Sequence, residues 1–281
     1  MMMATPDTYT EQPWANPEHD VLGDIQAATK PYEIPTKTEE QESDGVAIVS
    51  GGLDSITTVY YLVKKLGLHP HMVSFNYGQR HKRELDFALW NAEDLGLRWS
   101  LIDLTSLTSL IGNSALTHGA DVPEGHYAED NMAITVVPNR NMTMISIATA
   151  IAVNYEYTYV AAGMHAGDRA QYPDCRHEFM SSVWQTLMLA NEGFISRDFD
   201  LLVPFIDKSK NDIAKRAYEL GVRPDMTYSC YKGDFIHCGR CATCVERLEA
   251  IDSVGDPAWD KTLYADRKYW RTVVSEWNAS H

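Results

Sequence analysis

The chain has no apolar run approaching the roughly 20 residues that a membrane-crossing helix needs, so a membrane protein is not expected. Its first residues carry neither a basic start nor an apolar stretch. That argues against a secretory signal and leaves a cytoplasmic setting as the expectation. Positive charge is scarce: 24 lysines and arginines face 39 acidic residues, for a formal net charge of −15. Nucleic-acid binders usually present a basic stripe, so no direct nucleic-acid partner is expected. The run Arg80-His81-Lys82-Arg83 is a local exception that reads equally well as a solvated helix start. Cysteine is sparse too, and four of the five crowd into one short window near the C-terminus. In a cytosolic chain that clustering suggests a metal instead of disulfides.

What is there is an ordinary globular composition, 44% hydrophobic and 22% charged. The 281 residues suffice for one large or two modest domains. Residues 1–43 combine Pro6, Pro13, Pro17, Pro31 and Pro35 with many acids and little apolar periodicity, and are expected to be a flexible acidic extension. From Asp44 onward, apolar strands alternate with helical patterns. Strands are expected at 46–49, 71–75, 99–104, 158–162 and 201–205, and helices at 56–66, 80–95, 141–154, 177–190 and 210–220. Residues 105–136 read as an irregular loop or lid. The alternation predicts an α/β fold, a Rossmann-like parallel sheet flanked by helices. Such sheets bind ligands at the carboxyl ends of their strands. That singles out loops 50–55, 76–81, 138–141, 163–176 and 206–210.

The first of these, Ser50-Gly51-Gly52-Leu53-Asp54-Ser55, follows the strand Val46-Ala47-Ile48-Val49 and opens a helix. Glycines let backbone approach a ligand, and the free N–H groups of a helix start face a phosphate. No lysine follows Gly52, so this is not the Gly-Lys-Ser/Thr phosphate loop, and G-x-G-x-x-G is absent. The hexapeptide resembles the PP-loop of the ATP pyrophosphatases, the adenine nucleotide alpha-hydrolase type, which adenylate a substrate oxygen and release pyrophosphate. Ser50 and Ser55 would donate to phosphate. Asp54 repels phosphate, which leaves it to hold the loop or to help ligate Mg²⁺.

Cys230, Cys238, Cys241 and Cys244 form two overlapping C-x-x-C pairs plus one earlier cysteine. Four thiolates suit a closed tetrahedral zinc site with a structural role; an iron–sulfur cluster would use the same four. His237 could compete as a ligand. Cys175 stands apart and reads either as a packed small residue or as a nucleophile activated by Arg176 and a helix start.

Together these pieces resemble the 7-cyano-7-deazaguanine (preQ0) synthases of queuosine biosynthesis over about residues 46–250. The resemblance rests on the 50–55 loop and on Phe75-Asn76-Tyr77-Gly78-Gln79-Arg80-His81. It continues through Asn113-Ser114-Ala115-Leu116-Thr117, Val137-Pro138-Asn139-Arg140-Asn141, Tyr172-Pro173-Asp174-Cys175-Arg176, Asp207-Lys208-Ser209-Lys210 and the cysteine cluster opened by Tyr228-Ser229-Cys230-Tyr231. It implies an ATP-dependent ligase domain at 44–222 and a small zinc-binding subdomain with a tail at 223–281. It also implies two ATP per turnover, with 7-carboxy-7-deazaguanine and ammonia as substrates, structural Zn²⁺, and a homodimer. By position, Val49, Ser50, Gly51, Gly52, Leu53, Asp54, Ser55, Ile56, Thr57, Thr58 and Val59 would bind ATP. Arg80 and Arg140 would face phosphate or the substrate carboxylate. Asp168 and Asp174 would read the guanine-like edge, and Lys208 would meet developing charge. Cys175 remains the possible nucleophile.

Three departures bear on the pocket. Arg169 and Gln171 stand where the family loop is smaller or apolar, and Asn139 replaces a glycine. A ligase that stops at the amide and a tRNA-modifying PP-loop enzyme therefore stay open as alternatives, as does a zinc-ribbon interaction protein with a degenerate nucleotide site.

Overall fold

In a computed structural model, five parallel strands form one sheet in the order β3-β2-β1-β4-β5. The structure describes residues 43–107, 114–117, 121–170 and 172–280. The acidic extension up to residue 42, Asn113 and Gln171 lie outside the described residues. The strands are β1 Gly45–Ile48, β2 Pro70–Asn76, β3 Trp99–Asp103, β4 Tyr159–Ala162 and β5 Asp200–Leu202. β1 is central, pairing with β2 from Gly45↔Pro70 to Ile48↔Val73 and with β4 from Val46↔Val160 to Ile48↔Ala162. Neighbours on both edges and helices on both faces leave β1, β2 and β4 almost wholly buried, which is why they read as continuous apolar runs and not alternating ones.

Among the described residues, seven α-helices accompany the sheet: α1 Leu53–Leu66, α2 Glu84–Leu95, α3 Arg140–Asn154, α4 His177–Ala190, α5 Lys210–Leu220, α6 Ala242–Asp252 and α7 Tyr269–Ser280. One layer packs Leu53, Ile56, Val59 and Leu62 of α1 against Ala47, Met72 and Ala161 of the strands. The other packs Met144, Ala148 and Ala152 of α3 against Val46, Val73 and Val160. Their switch in sheet order beside β1 places the carboxyl ends of β1, β2 and β4 around one crevice.

The expected strands and helices are present; the helices expected at 177–190 and 210–220 match residue for residue, and the others shift at one or both ends. The helix expected at 80–95 starts only at Glu84, because residues 81–83 form a turn. The strand expected at 201–205 is only Asp200–Leu202. Helices α6 and α7 were not expected. They carry Val245, Leu248, Trp270, Val273 and Val274 in a separate small core, so the C-terminal aromatics serve packing. Trp277 stacks on His126 at 4.3 Å and 4° between planes. The C-terminal region is tied to the α/β fold across the expected 222/223 boundary, since Tyr228 N–H donates to Gly51 O at 2.9 Å.

Candidate active site

A cavity of about 240 Å³ opens at the carboxyl ends of β1, β2 and β4. Val49, Ser50, Asp54 and Ser55 form one side of it. Helix α1 begins there with Gly52 at its N-cap and no side-chain cap, so its orphan N–H groups are directed to whatever sits in the crevice. Within the loop, Ser55 Oγ accepts from Ser50 N at 3.2 Å and from Gly51 N at 3.3 Å, and lies 3.1 Å from Ser50 Oγ. The hydroxyls thus sit among the donors that a phosphate would take. Gly51 has φ 95°, and a Cβ there would meet Glu84 O at 1.9 Å, so no other residue fits this turn. Of the other residues expected at ATP, Leu53, Ile56, Thr57, Thr58 and Val59 are buried. Thr57 Oγ1 donates to Leu53 O and Thr58 Oγ1 to Asp54 O within α1, and Leu53, Ile56 and Val59 pack it against the sheet.

Asp54 is ion-paired to a residue that sequence reading passed over. Lys210 Nζ lies 2.5 Å from Asp54 Oδ2 and 3.3 Å from Glu246 Oε2. Burial works to raise the Asp54 carboxyl, but Lys210 and His165 outweigh it and hold the group below its ordinary value. Lys210 is driven upward, since Asp54 and Glu246 more than offset its burial, and is a permanent cation. Asp54 Oδ1 is buried without a hydrogen-bond partner. The expected Lys208 is exposed, and its backbone carbonyl accepts from Ala166 N. The reason is helix capping. Ser209 caps α5 in a reciprocal capping box with Asp212, which leaves Lys208 outside the helix and makes Lys210 its first residue.

Arg140 reaches the cavity from the start of α3, between the rings of Tyr77 and Tyr172 at 5.9 and 6.0 Å. Burial lowers its pKa, but Tyr77, Tyr231 and Tyr172 raise it further, so the charge is secure. Asn139 precedes it at φ 59°, a left-handed turn that asparagine tolerates better than most residues. The family glycine is therefore replaced by its nearest conformational substitute. Asp168 also lines the cavity, with Oδ2 accepting from His165 N at 3.1 Å. Burial raises its carboxyl, opposed by His165 and reinforced by Glu246.

The remaining expected residues fall elsewhere. Asp174 is not on the cavity wall; its Oδ2 accepts from Asn141 N at 3.3 Å, at the open start of α3. Arg80 is exposed and also off the wall. Cys175 lines the cavity, but burial pushes its thiol up, and Asn141 Nδ2 donates to Sγ at 3.4 Å. That is the environment of a neutral, packed thiol and not of an activated thiolate. Arg169 turns from the cavity to pair with the Asp207 carboxylate and the Ile206 carbonyl, so its charge does not enter the pocket. Glu84, His81 and Tyr231 do line it; His81 and Tyr231 stood in motifs without an assigned role, and Glu84 in none.

The four cysteine sulfurs all lie within 4.8 Å of one another. Bonds of about 2.3 Å to a tetrahedral ion would set sulfurs about 3.8 Å apart, so the cluster fits one metal. Cys238 Sγ accepts from Arg240 N and Cys241 N, as expected of a thiolate. Gly239, at φ 75°, makes the turn possible: a Cβ would lie 1.6 Å from Asp266 O. His237 does not compete, because its Nε2 accepts from Ser229 N at 3.1 Å. The site reaches the cavity through Tyr231, which directly follows Cys230.

A parallel sheet, an uncapped Gly-Gly turn at the central strand and a closed four-cysteine site define a nucleotide-binding α/β protein of the PP-loop kind. Residues 44–255 match the family model described as Queuosine biosynthesis protein QueC, and the chain belongs to that family. It is 43% identical over 235 residues to a 7-cyano-7-deazaguanine synthase of Paracoccus denitrificans, covering 82% of this chain and 97% of that one. It is 44% identical over 237 residues to a 7-cyano-7-deazaguanine synthase of Allorhizobium ampelinum, covering 83% and 97%. Among solved structures, the U34-tRNA thiolase NcsA from Methanococcus maripaludis aligns at TM-score 0.42 and 14% identity, covering 86% of this chain and 73% of that one.

Proposed function

We propose that this chain is an ATP-dependent carbon–nitrogen ligase that converts 7-carboxy-7-deazaguanine and ammonia to 7-cyano-7-deazaguanine. The observation that carries the reading is a single cavity with two ends: the open phosphate loop at one, Arg140 among tyrosines at the other. A carboxylate is a poor electrophile, so attack on the ATP α-phosphate supplies a leaving group and releases pyrophosphate. Ammonia then displaces AMP to give the amide. A second adenylation, on the amide oxygen, precedes loss of AMP and formation of the nitrile.

The chain's own groups divide this work. The 50–55 loop orients the phosphates through backbone N–H groups. Arg140 offers a fixed positive charge to the substrate carboxylate or the developing phosphate charge. Asp168, on the cavity wall, would accept from the donor edge of the base. Asp54, with its unpartnered buried oxygen, fits a Mg²⁺ ligand, and the ion would neutralise phosphate charge. The cysteines would hold Zn²⁺, with no open coordination position and hence no chemical step. A homodimer, a cytoplasmic setting and the absence of direct nucleic-acid contact go with this reading. No helix among the described residues is long and apolar enough to cross a membrane.

No observation favours a ligase that stops at the amide: of the two loop residues that raised it, Arg169 is committed to Asp207, and Gln171 lies outside the described residues. The test is ATP–pyrophosphate exchange dependent on 7-carboxy-7-deazaguanine in the absence of ammonia. Exchange supports the reading, and its absence overturns it.

A further inference from the structure

Glu84 occupies the boundary between the two ends of the cavity. It is the first residue of α2, its side chain is 9% exposed, and it lines the cavity. Its backbone carbonyl abuts Gly51 of the phosphate loop, as the 1.9 Å clash of a Cβ at Gly51 shows. Arg140 acts on its carboxyl and also lines the cavity. Glu84 therefore borders both the phosphate loop and the cavity that holds Arg140.

Its carboxyl is also unevenly held. Oε1 accepts from Gln79 Nε2 at 3.2 Å and lies 3.4 Å from His81 Nε2. Among the described residues no hydrogen bond reaches Oε2. The titratable groups that line the cavity with it are Tyr77 and His81 from its own segment, Arg140 from α3, Asp54, Asp168, Tyr172, Cys175 and Tyr231. Burial drives the carboxyl up to about 8, with Gln79 and Arg140 opposing. Burial, with Arg140 adding, drives His81 down to about 3, so His81 is neutral and is no base of matching strength. A group that exchanges its proton near the working pH is matched to proton transfer.

The proposed reaction requires such a group. We propose, building on the ligase reading above, that Glu84 accepts the proton from the nitrogen that captures the adenylated carboxyl group. As the C–N bond forms, an N–H bond breaks toward the Glu84 carboxylate. The C–O bond to AMP then breaks, and AMP leaves with the electron pair. In the second round the amide gives up one N–H proton to solvent as its oxygen is adenylated, leaving an O-adenylated imidate; the remaining N–H proton passes to the same carboxylate as the C–O bond breaks, AMP leaves with the electron pair and the nitrile forms. Solvent takes the proton from Glu84 between rounds.

The test separates adenylation from capture. In wild-type protein, exchange of pyrophosphate into ATP needs only the carboxylate substrate, whereas amide formation needs ammonia. Glu84→Gln keeps the side-chain shape and removes the proton acceptor. The expected result is exchange reduced no more than about tenfold, while ammonia-dependent AMP release falls about 10²-fold or more. Glu84→Asp should recover part of the loss. Equal loss of exchange and AMP release would assign Glu84 a structural role and overturn the proposal, as would a Gln variant with normal ammonia-dependent turnover. A measurement on the unmodified protein guards against a variant that does not fold. Capture of the preformed acyl adenylate by hydroxylamine, already neutral at pH 7, should accelerate as pH rises through about 8. A flat profile from pH 6.5 to 9 overturns the proposal. Absent exchange in the wild-type protein overturns the adenylation reading itself, a different outcome from loss of capture alone.

Discussion

Lys210 Nζ lies 2.5 Å from Asp54 Oδ2, although 156 positions separate the two residues. The pair clamps the first turn of α1, which carries the phosphate loop, to the first turn of α5. Lys210 also faces Glu246, and Asp168 acts on it from a greater distance, so one cation serves three carboxylates. Removing it leaves uncompensated negative charge where the proposed reading puts the triphosphate.

Lys210→Ala should therefore destabilise the fold by about 3 kcal/mol, toward the lower end for a broken buried pair because both side chains keep some solvent contact. ATP affinity should fall as well. Lys208→Ala should shift stability by no more than about 0.5 kcal/mol, as for other exposed positions. Chemical denaturation and nucleotide titration of the two variants check this. Equal effects would contradict the assignment of Lys210.

Stability should fall on both sides of neutrality. Burial, with Arg98 adding, drives His71 down to about 3, and His81 is held equally low. Their folded values lie below the unfolded value of about 6.5, so the unfolded state gains protons first and stability falls as pH drops below that value. Glu84 has the opposite sign. Its folded value of about 8 lies above the ordinary 4.5, so its contribution is complete below pH 4.5 and is lost as pH rises through 8. Glu84→Gln should gain stability relative to wild type as pH rises from 5 to 8.5. Thermal melts across that range measure it, and a pH-independent difference would count against the raised carboxyl.

Metal should be stoichiometric and structural. Elemental analysis should find one ion per chain, lost in Gly239→Ala, where the new Cβ collides with Asp266 O. Chelation should lower Tm by roughly 10 °C or more, given about 2–4 °C per kcal/mol in a chain of this size. Because Tyr228 N–H holds Gly51 O, ATP affinity should fall with the metal. A protein that keeps Tm and ATP affinity after complete chelation would show that the cluster does not organise the site.

Asn139→Ala should cost about 1–2 kcal/mol, the ordinary penalty for a left-handed residue with a Cβ and no local polar compensation. Asn139→Gly should be close to neutral. Urea denaturation distinguishes them, and equal costs would mean that something other than the turn requires asparagine.

The sheet was legible because strands such as Val46-Ala47-Ile48-Val49 are buried on both faces and their loops collect glycine and polar residues. The phosphate loop was legible because its chemistry is contiguous. The other wall of the cavity was not. Glu84 and Tyr231 reach it from distant segments, Lys210 holds Asp54 from a third, and only the sheet order brings them together. Lys208 and Lys210 could not be told apart by type; the Ser209 cap decides which one points inward. Asp174 stood in a motif beside the pocket, yet it serves the start of α3. Helices α6 and α7 escaped notice because cysteines and aromatics obscure their periodicity.

The most direct test is incubation of the protein with ATP, Mg²⁺, ammonium and 7-carboxy-7-deazaguanine, followed by mass analysis of base and nucleotide products. The account predicts 7-cyano-7-deazaguanine with two AMP and two pyrophosphate per nitrile formed. Accumulation of the amide with one AMP, or no pyrophosphate at all, would contradict it.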